Sequence, residues 1–309
     1  MIKYSVIIIS YDNFSSTTEL ILKSLLNSKS KYNTEIILFD NGSTDETIRG
    51  IKNYENLDDR LKTIFNGENL GFAGGNNRAF KHSTGNQVIF LNSDTITTFE
   101  SLDILIDEMD DIKCQILGPI SNAVSGVQKI KVYTNKVTEI LKEGEFIMNS
   151  KHQLPPFVTD CLSFFCIAMY RSIFTKLNGL DEKYQLGYYE DTDFCFRARK
   201  KGIILFCTEK VFVYHKGEGS FANVSNTTTT LENKKRFKKL HGGFKSKKVR
   251  VENLDRIKSY RKQLKLGTVN PVIDFLFSRR TSMIYPCSPR NWVKKILYFL
   301  NYLAIILKD

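Results

Sequence analysis

The sequence predicts an α/β protein of the Rossmann-like kind, a sheet flanked by helices, on three observations. Apolar runs of strand length alternate with stretches of helical spacing through the first third of the chain. Polar residues gather where those runs end, the position at which open α/β sheets bind ligands. With 309 residues, 42% of them apolar, the chain can bury a large core, as one big domain or one plus an appendage.

The elements follow in order. YSVIIIS reads as a buried strand that ends at Ser10, Tyr11 and Asp12. SSTTELILKSLLN then opens with Ser/Thr caps and continues as a helix with Leu20, Ile21, Leu25 and Leu26 on its apolar side. TEIILFD is a second buried strand, ending at Asp40 and Asn41, and in the turn NGSTDE either Ser43 or Thr44 can cap a helix running through Ile51. LKTIFN is a third strand and QVIFLNSD a fourth, with the helical GGNNRAFKHS between them. The fourth strand runs into Asn92, Ser93 and Asp94, which turn chemistry alone could explain. The convergence of three such polar strand ends is harder to obtain from turns.

Gly71, Gly74 and Gly75 of ENLGFAGGNN do not make G-x-G-x-x-G, and no G-x-x-x-x-G-K-[ST] occurs, which disfavours dinucleotide and P-loop binding. They read either as a tight loop before a helix or as an anion site at a helix N-terminus. Residues 120–160 read as a variable linker, broken by Pro155 and Pro156, leading to further strands. GYYEDTDFCFRARKKG places Glu190, Asp191 and Asp193 at a helix start and Arg197, Arg199, Lys200 and Lys201 towards its end, an order that matches the helix dipole. His215, after the strand-like VFVY, is by itself an ordinary structural histidine.

Charge is unevenly spread. The net +12 comes from a nearly neutral body, with 25 Lys+Arg against 28 Asp+Glu in residues 1–230, and a basic segment with 14 against 3 in residues 231–265. Such a stripe suits nucleic acid, anionic lipid, acidic substrates or plain solvent. Six cysteines, Cys287 among them, fall at irregular spacings with no C-x-x-C, and no leader precedes the first strand, so reduced thiols and a cytoplasmic chain are expected. Ile296 to Leu307 is apolar but for Asn301 and too short to span a bilayer. Trp292, Lys294, Lys295, Tyr298 and Tyr302 around it suit a membrane interface. A helix over 291–308 is therefore expected to lie on the inner membrane face, to pack on its own domain, or to join two copies of the chain as a dimer.

SVIIISYDN, FDNGSTDET, ENLGFAGGNNRAF, FLNSDT, GLDEKYQLGYYEDTDFCFRARKKG and VYHKGEGS, in that order over residues 1–225, resemble the bacterial family 2 glycosyltransferases, especially their rhamnosyltransferase-like branch. The resemblance implies the nucleotide-diphospho-sugar transferase (GT-A type) fold, a mixed sheet with a donor half (1–118) and an acceptor half (119–225), here followed by a basic, helical extension (226–309). It implies inverting, metal-dependent transfer of a sugar from a nucleotide donor, with UDP- or dTDP-sugars favoured, to a saccharide or lipid-linked acceptor in surface polysaccharide synthesis. FLNSDT stands where the family has a D-x-D-like motif, so Asp94 is the expected ligand of Mn²⁺ or Mg²⁺. Asn92 departs from the two-carboxylate form, and His215 is the implied further ligand. Asp191 maps onto the base that takes the acceptor's proton, with Glu190 orienting donor or acceptor. Ser10, Tyr11, Asp12, Asp40 and Asn41, then Gly71, Phe72, Asn76, Asn77 and Arg78, then Asn92 and Ser93, are the implied donor-binding residues, with Tyr11 stacking on the base and Asp40 accepting its N3–H. Two rivals are weaker. A sugar nucleotidyltransferase needs a glycine- and Lys/Arg-rich loop that SYDNFSS is not, and a nucleic-acid-binding protein would leave the acidic body without a purpose, so no nucleic acid partner is expected.

Overall fold

The computed structural model describes residues 1–150, 154–184, 188–217, 228–242, 249–265 and 270–284. The expected helix 291–308, with its membrane or dimer role, Cys287 and the end of VYHKGEGS lie outside them. The first half runs β1 (Tyr4–Ser10), α1 (Thr18–Leu26), β2 (Thr34–Asp40), α2 (Thr47–Lys52), β3 (Leu61–Phe65), α3 (Gly71–Phe80), β4 (Gln87–Asn92), β5 (Thr95–Ile96), α4 (Phe99–Asp111) and β6 (Ile116–Ile120). The second half runs α5 (Val137–Asn149), β7 (Phe157–Thr159), β8 (Cys166–Tyr170), α6 (Arg171–Lys176), α7 (Glu190–Lys200), β9 (Leu205–Phe212), β10 (Tyr214–His215), α8 (Thr228–His241), α9 (Val249–Lys265) and α10 (Pro271–Ile284).

Eight strands form one mixed sheet in the order β3-β2-β1-β4-β8-β6-β9-β7. β1 to β4 are mutually parallel, and β8 runs antiparallel to both β4 and β6. The chain leaves β1 towards β2 and β3, then returns to β4 on the other side of β1, so the sheet switches direction between β1 and β4 and opens a crevice at their carboxyl ends. Alternation explains why these strands read as unbroken apolar runs. Ile7, Ile37, Val88 and Phe90 enter one core, while Val6, Ile8, Ile36, Leu38, Ile89 and Leu91 enter the other. Both faces are covered, as a parallel sheet requires.

Several local expectations are corrected. Thr17 makes no side-chain cap for α1, its hydroxyl donating instead to the Asn13 carbonyl, and a short 3₁₀ turn at Phe14–Ser16 precedes the helix. The buried face of α1 is Thr18, Ile21, Leu22 and Leu25, with Leu20 turned outward. α2 begins only at Thr47, after Glu46, because Ser43 is spent on Asp40. The glycine stretch is no loop before a helix: α3 starts at Gly71, and Gly74 and Gly75 lie buried inside it. A Cβ on Gly75 would stand 3.2 Å from Ile9 and 3.3 Å from the Asn41 side chain, so glycine lets α3 approach the ends of β1 and β2. The supposed linker at 120–160 contains the thirteen-residue α5, whose Gly144 similarly makes room for Phe212.

The extension is joined to the body through charge buried beneath it. Glu209 of β9 is 1% exposed and pairs with Arg256 of α9 and Arg280 of α10, each at 2.6 Å. The Tyr260 hydroxyl donates to Glu209, and Arg280 also donates to the Val127 carbonyl and the Asn253 side chain. Burial alone would raise the Glu209 carboxyl, but the two guanidinium groups overcome it and hold it at about 2. Because the folded value is depressed, this contribution is complete above the unfolded value of about 4.3 and is lost as pH falls through about 2. Glu209→Gln strands two buried cations, and urea denaturation at pH 7 should show a loss of about 3 to 5 kcal/mol.

Candidate active site

The crevice at the switch point is lined by what strand ends leave there. β4 terminates at Asn92, Thr95–Ile96 forms β5 after two intervening residues, and β5 pairs antiparallel with β10 so that Thr95 faces His215. This two-residue ladder carries His215 to Asp94 across more than a hundred residues of chain. His215 Nε2 stands 3.1 Å from Asp94 Oδ1 and 3.3 Å from Asn92 Nδ2. On the other side of the ring, Nδ1 lies 2.6 Å from the Ala123 carbonyl, an acceptor only, so Nδ1 carries a proton and in the neutral ring Nε2 presents its lone pair to the cavity. Asn122 fixes the backbone of His215 from both ends: its Nδ2 donates to the His215 carbonyl and its Oδ1 accepts the His215 N–H. No feature of SNAV marked Asn122 for this task, since its partner lies 93 positions away.

Two adjoining cavities meet at this point and share Phe72, Asn92 and Asp94. One holds Tyr11, Asn41 and Ser93, and the other Glu190, Asp191 and His215. The structure thus brings together the expected metal pair, the acidic pair of α7 and four of the expected donor residues besides Asn92. Ser163, Phe164 and Phe165, unmarked in the sequence, also line the second cavity, where the segment before β8 crosses the end of β4.

The remaining candidates do not line these cavities, and Asn41, which does, also holds the crevice wall together. Asn41 donates from Nδ2 to Asn69 Oδ1 and the Gly71 carbonyl and accepts the Leu70 N–H, so its amide pins the turn that starts α3. Gly71 itself has φ of +69°, which favours glycine. Asp40 is buried and accepts from the Ser43 hydroxyl and from the N–H groups of Gly42 and Ser43. Ser10 shares a hydrogen bond with Thr18, while the Asp12 carboxylate accepts the Thr44 N–H. Asn76 lies buried and donates to the Phe72 carbonyl. Asn77 and Arg78 are not brought to Asp94: they line a separate cavity with Asn178 and Glu182, and Asn77 is tied to Leu180 through both amide atoms. Helical phase accounts for this, because residues 77 and 78 turn away from the side on which Phe72 faces the crevice.

The α7 carboxyls sit in strained surroundings. Tyr188 and Tyr189, immediately before the helix, adopt φ of +69° and +78°, left-handed values that cost a bulky residue energy. Asn233 of α8 donates to the Tyr188 carbonyl and the Phe237 ring packs on Tyr189, which holds that backbone in place. Among the described residues, buried Glu190 Oε2 has no hydrogen-bond partner. Burial, then the neighbouring Asp191, push the Glu190 carboxyl well up. Asp191 is also raised by burial, but its Oδ1 accepts from the Thr192 N–H and hydroxyl, which oppose the shift. The proton therefore resides on Glu190 in preference to Asp191.

Among the described residues no group of three His, Cys, Asp or Glu side chains forms a cage for a divalent cation, so the protein would supply two ligands. Two ligands about 2.1 Å from an ion and at right angles lie about 3.0 Å apart, close to the separation of Oδ1 and Nε2. An ion held by one carboxylate and one imidazole leaves positions for phosphate oxygens, so the residues fit.

The model of the family described as "Glycosyl transferase family 2" matches residues 5–177. An uncharacterized glycosyltransferase of Haemophilus influenzae is 30% identical over 155 residues, 43% of this chain and 62% of that protein. The low-salt glycan biosynthesis hexosyltransferase Agl10 of Haloferax volcanii is 26% identical over 175 residues, 55% of this chain and 54% of that protein. The chain thus spans about three-fifths or less of the length of these relatives. The crystal structure of GalNAc-T7 with UDP, GalNAc and Mn²⁺ superposes with a TM-score of 0.60 at 17% identity, covering 77% of this chain and 48% of that one. The mixed α/β sheet flanked by helices accordingly has the GT-A nucleotide-diphospho-sugar transferase fold. The rhamnosyltransferase-like branch is not singled out.

Burial disfavours the charged form of His215, yet the hydrogen bond and charge of Asp94, with the Ala123 carbonyl, outweigh it and raise the imidazole above its ordinary value. Asp94→Asn removes the main opposing influence, so in an NMR titration of the metal-free protein the His215 ring should lose its proton below about 6.5, where the unchanged chain loses it above.

Proposed function

The chain belongs to glycosyl transferase family 2, and from that premise we propose that it transfers a sugar from a UDP- or dTDP-sugar to a saccharide hydroxyl with inversion, using Mn²⁺ or Mg²⁺. The observation that carries the reading is the meeting of Asp94, His215, Glu190 and Asp191 in one cavity, with Tyr11, Asn41 and Phe72 in the adjoining one. GalNAc-T7, solved with UDP and Mn²⁺, has the same fold, which supports the nucleotide and the ion alike.

Asp94 and His215 would hold the cation, which when bound neutralises charge that builds on the departing diphosphate. Tyr11 offers a ring to the nucleobase, and Ser93 and Asn92 offer polar groups to ribose and phosphate. Asp40, already bonded to the turn at 42–43, shapes the nucleobase end and can accept an N3–H with its remaining lone pairs. Asp191, ionised, accepts the proton of the attacking hydroxyl on the face away from the leaving group. Glu190, protonated and with Oε2 lacking a partner, donates to a sugar oxygen and so orients donor or acceptor.

Attachment to anionic lipid is supported by Lys234, Lys235, Lys238 and Lys239, all exposed on α8. Among the described residues no helix is long and apolar enough to cross a membrane. Agl10, named for glycan biosynthesis, lends weight to an acceptor saccharide, free or lipid-linked, in surface polysaccharide synthesis.

The test is nucleotide release from a panel of UDP-, dTDP- and GDP-sugars with Mn²⁺ or Mg²⁺. Release with no donor would end the transferase reading. Asp191→Asn should lower kcat by roughly 10² to 10⁴ with UDP affinity retained, while Glu190→Gln, which keeps a neutral side chain of the same shape, should lose far less. Equal losses in the two variants would reverse or erase the assigned protonation. Replacing the four exposed lysines of α8 by glutamate should reduce co-sedimentation with vesicles containing anionic phospholipid. Unchanged co-sedimentation would remove α8 from membrane contact.

A further inference from the structure

Beside the catalytic crevice lies a cavity of about 440 Å³, within the range of roughly 300 to 1,000 Å³ common for small-molecule sites. It shares Ser163, Tyr188 and Asp191 with the crevice, so Asp191 stands on the boundary between the two spaces. Its far wall comes from the extension, through Phe237 of α8 and Val249 at the start of α9, beyond the part of the chain that the family model matches. Tyr189 and Phe237 present packed rings with centroids 5.7 Å apart. Among the described residues no Lys or Arg lines the cavity, and of its carboxylates Asp160 is paired with Arg199 at 3.0 Å while Asp191 has no salt bridge.

We propose that this cavity is the acceptor subsite, that it takes a neutral sugar ring, and that Phe237 and Val249 of the C-terminal extension set its specificity. The inference rests on the transferase reading above. Aromatic rings cover the C–H faces of a pyranose, as they cover other apolar surface. A carboxylate or phosphate on the entering sugar would meet Asp191 with no cation among the described wall residues to offset the repulsion. A hydroxyl seated there faces the base, while the donor occupies the space on the other side of Asp191. Any phosphate of a carrier stays outside, nearer the lysines exposed on α8.

The experiment uses the full chain, Mn²⁺ and the nucleotide sugar it turns over, with p-nitrophenyl hexosides as neutral acceptors and p-nitrophenyl glucuronide as the anionic one. Transfer to at least one neutral hexoside is expected, with kcat/KM for the glucuronide at least tenfold lower. Phe237→Leu and Val249→Trp should each raise the acceptor KM, Val249→Trp by about tenfold or more through occlusion of apolar space, with the Kd for UDP within twofold of the unchanged chain. Val249 is 43% exposed, so its replacement tests the wall without loading the core. A glucuronide used as well as the hexosides overturns the neutral class. An acceptor KM unmoved by Val249→Trp overturns the wall, and hydrolysis of donor with transfer to no hexoside overturns the subsite. A chain that binds no nucleotide sugar fails earlier, at the transferase reading, and takes this inference with it.

Discussion

The candidate centre depends on one small ladder, Thr95–Ile96 against Tyr214–His215. Everything upstream of it serves to end β4 at the crevice, and everything between the partners serves to return the chain there. A metal pair built this way has no local sequence to stabilise it, so its geometry is borrowed from the sheet. The register Thr95↔His215 decides which face His215 presents, and a slip of one residue would turn the imidazole away from Asp94. Asn122, gripping both backbone polar groups of His215, is the guard against that slip.

Asn92 takes on a clearer sense in this setting. With Nδ1–H committed to Ala123, the bare Nε2 can accept from the Asn92 amide or, once protonated, donate to Asp94. An aspartate at 92 would place a second carboxylate against the imidazole and favour its protonated form, which cannot ligate. The amide keeps the imidazole available. The neutral first residue of FLNSDT is therefore matched to a proposed site whose other ligand would be a histidine.

What the sequence displayed and what it hid divide along the range of the interactions. β1, β2 and β4 were legible because their burial is dictated by their own composition, and the polar ends at Tyr11, Asn41 and Asn92 because strand termini expose them. The meeting of Asp94, His215 and the α7 carboxyls was foreshadowed only by the ordered motifs, since nothing local distinguishes His215 from a structural histidine. Ser43 looked like a cap but bonds Asp40, and of the two readings of the glycines the helical one holds, with α3 starting three residues earlier at Gly71 and Gly75 packed against Ile9 and Asn41. Asn77 and Arg78 followed the right residues in sequence but the wrong helical phase in space. α5 escaped notice because its start has no side-chain cap and its middle has a glycine, a weakness repaid only by contact with Phe212.

The left-handed pair Tyr188 and Tyr189 ties the proposed catalytic carboxyls to the C-terminal extension. Their backbone is restrained by Asn233 and Phe237, and the extension carrying those residues is itself secured through Arg256 and Arg280 to Glu209. A ribosome that has released β1 to β10 has made every candidate catalytic side chain, yet not the contacts that aim two of them. On this arrangement a product ended before α8 would hold the strand-end crevice without the contacts that restrain Tyr188 and Tyr189.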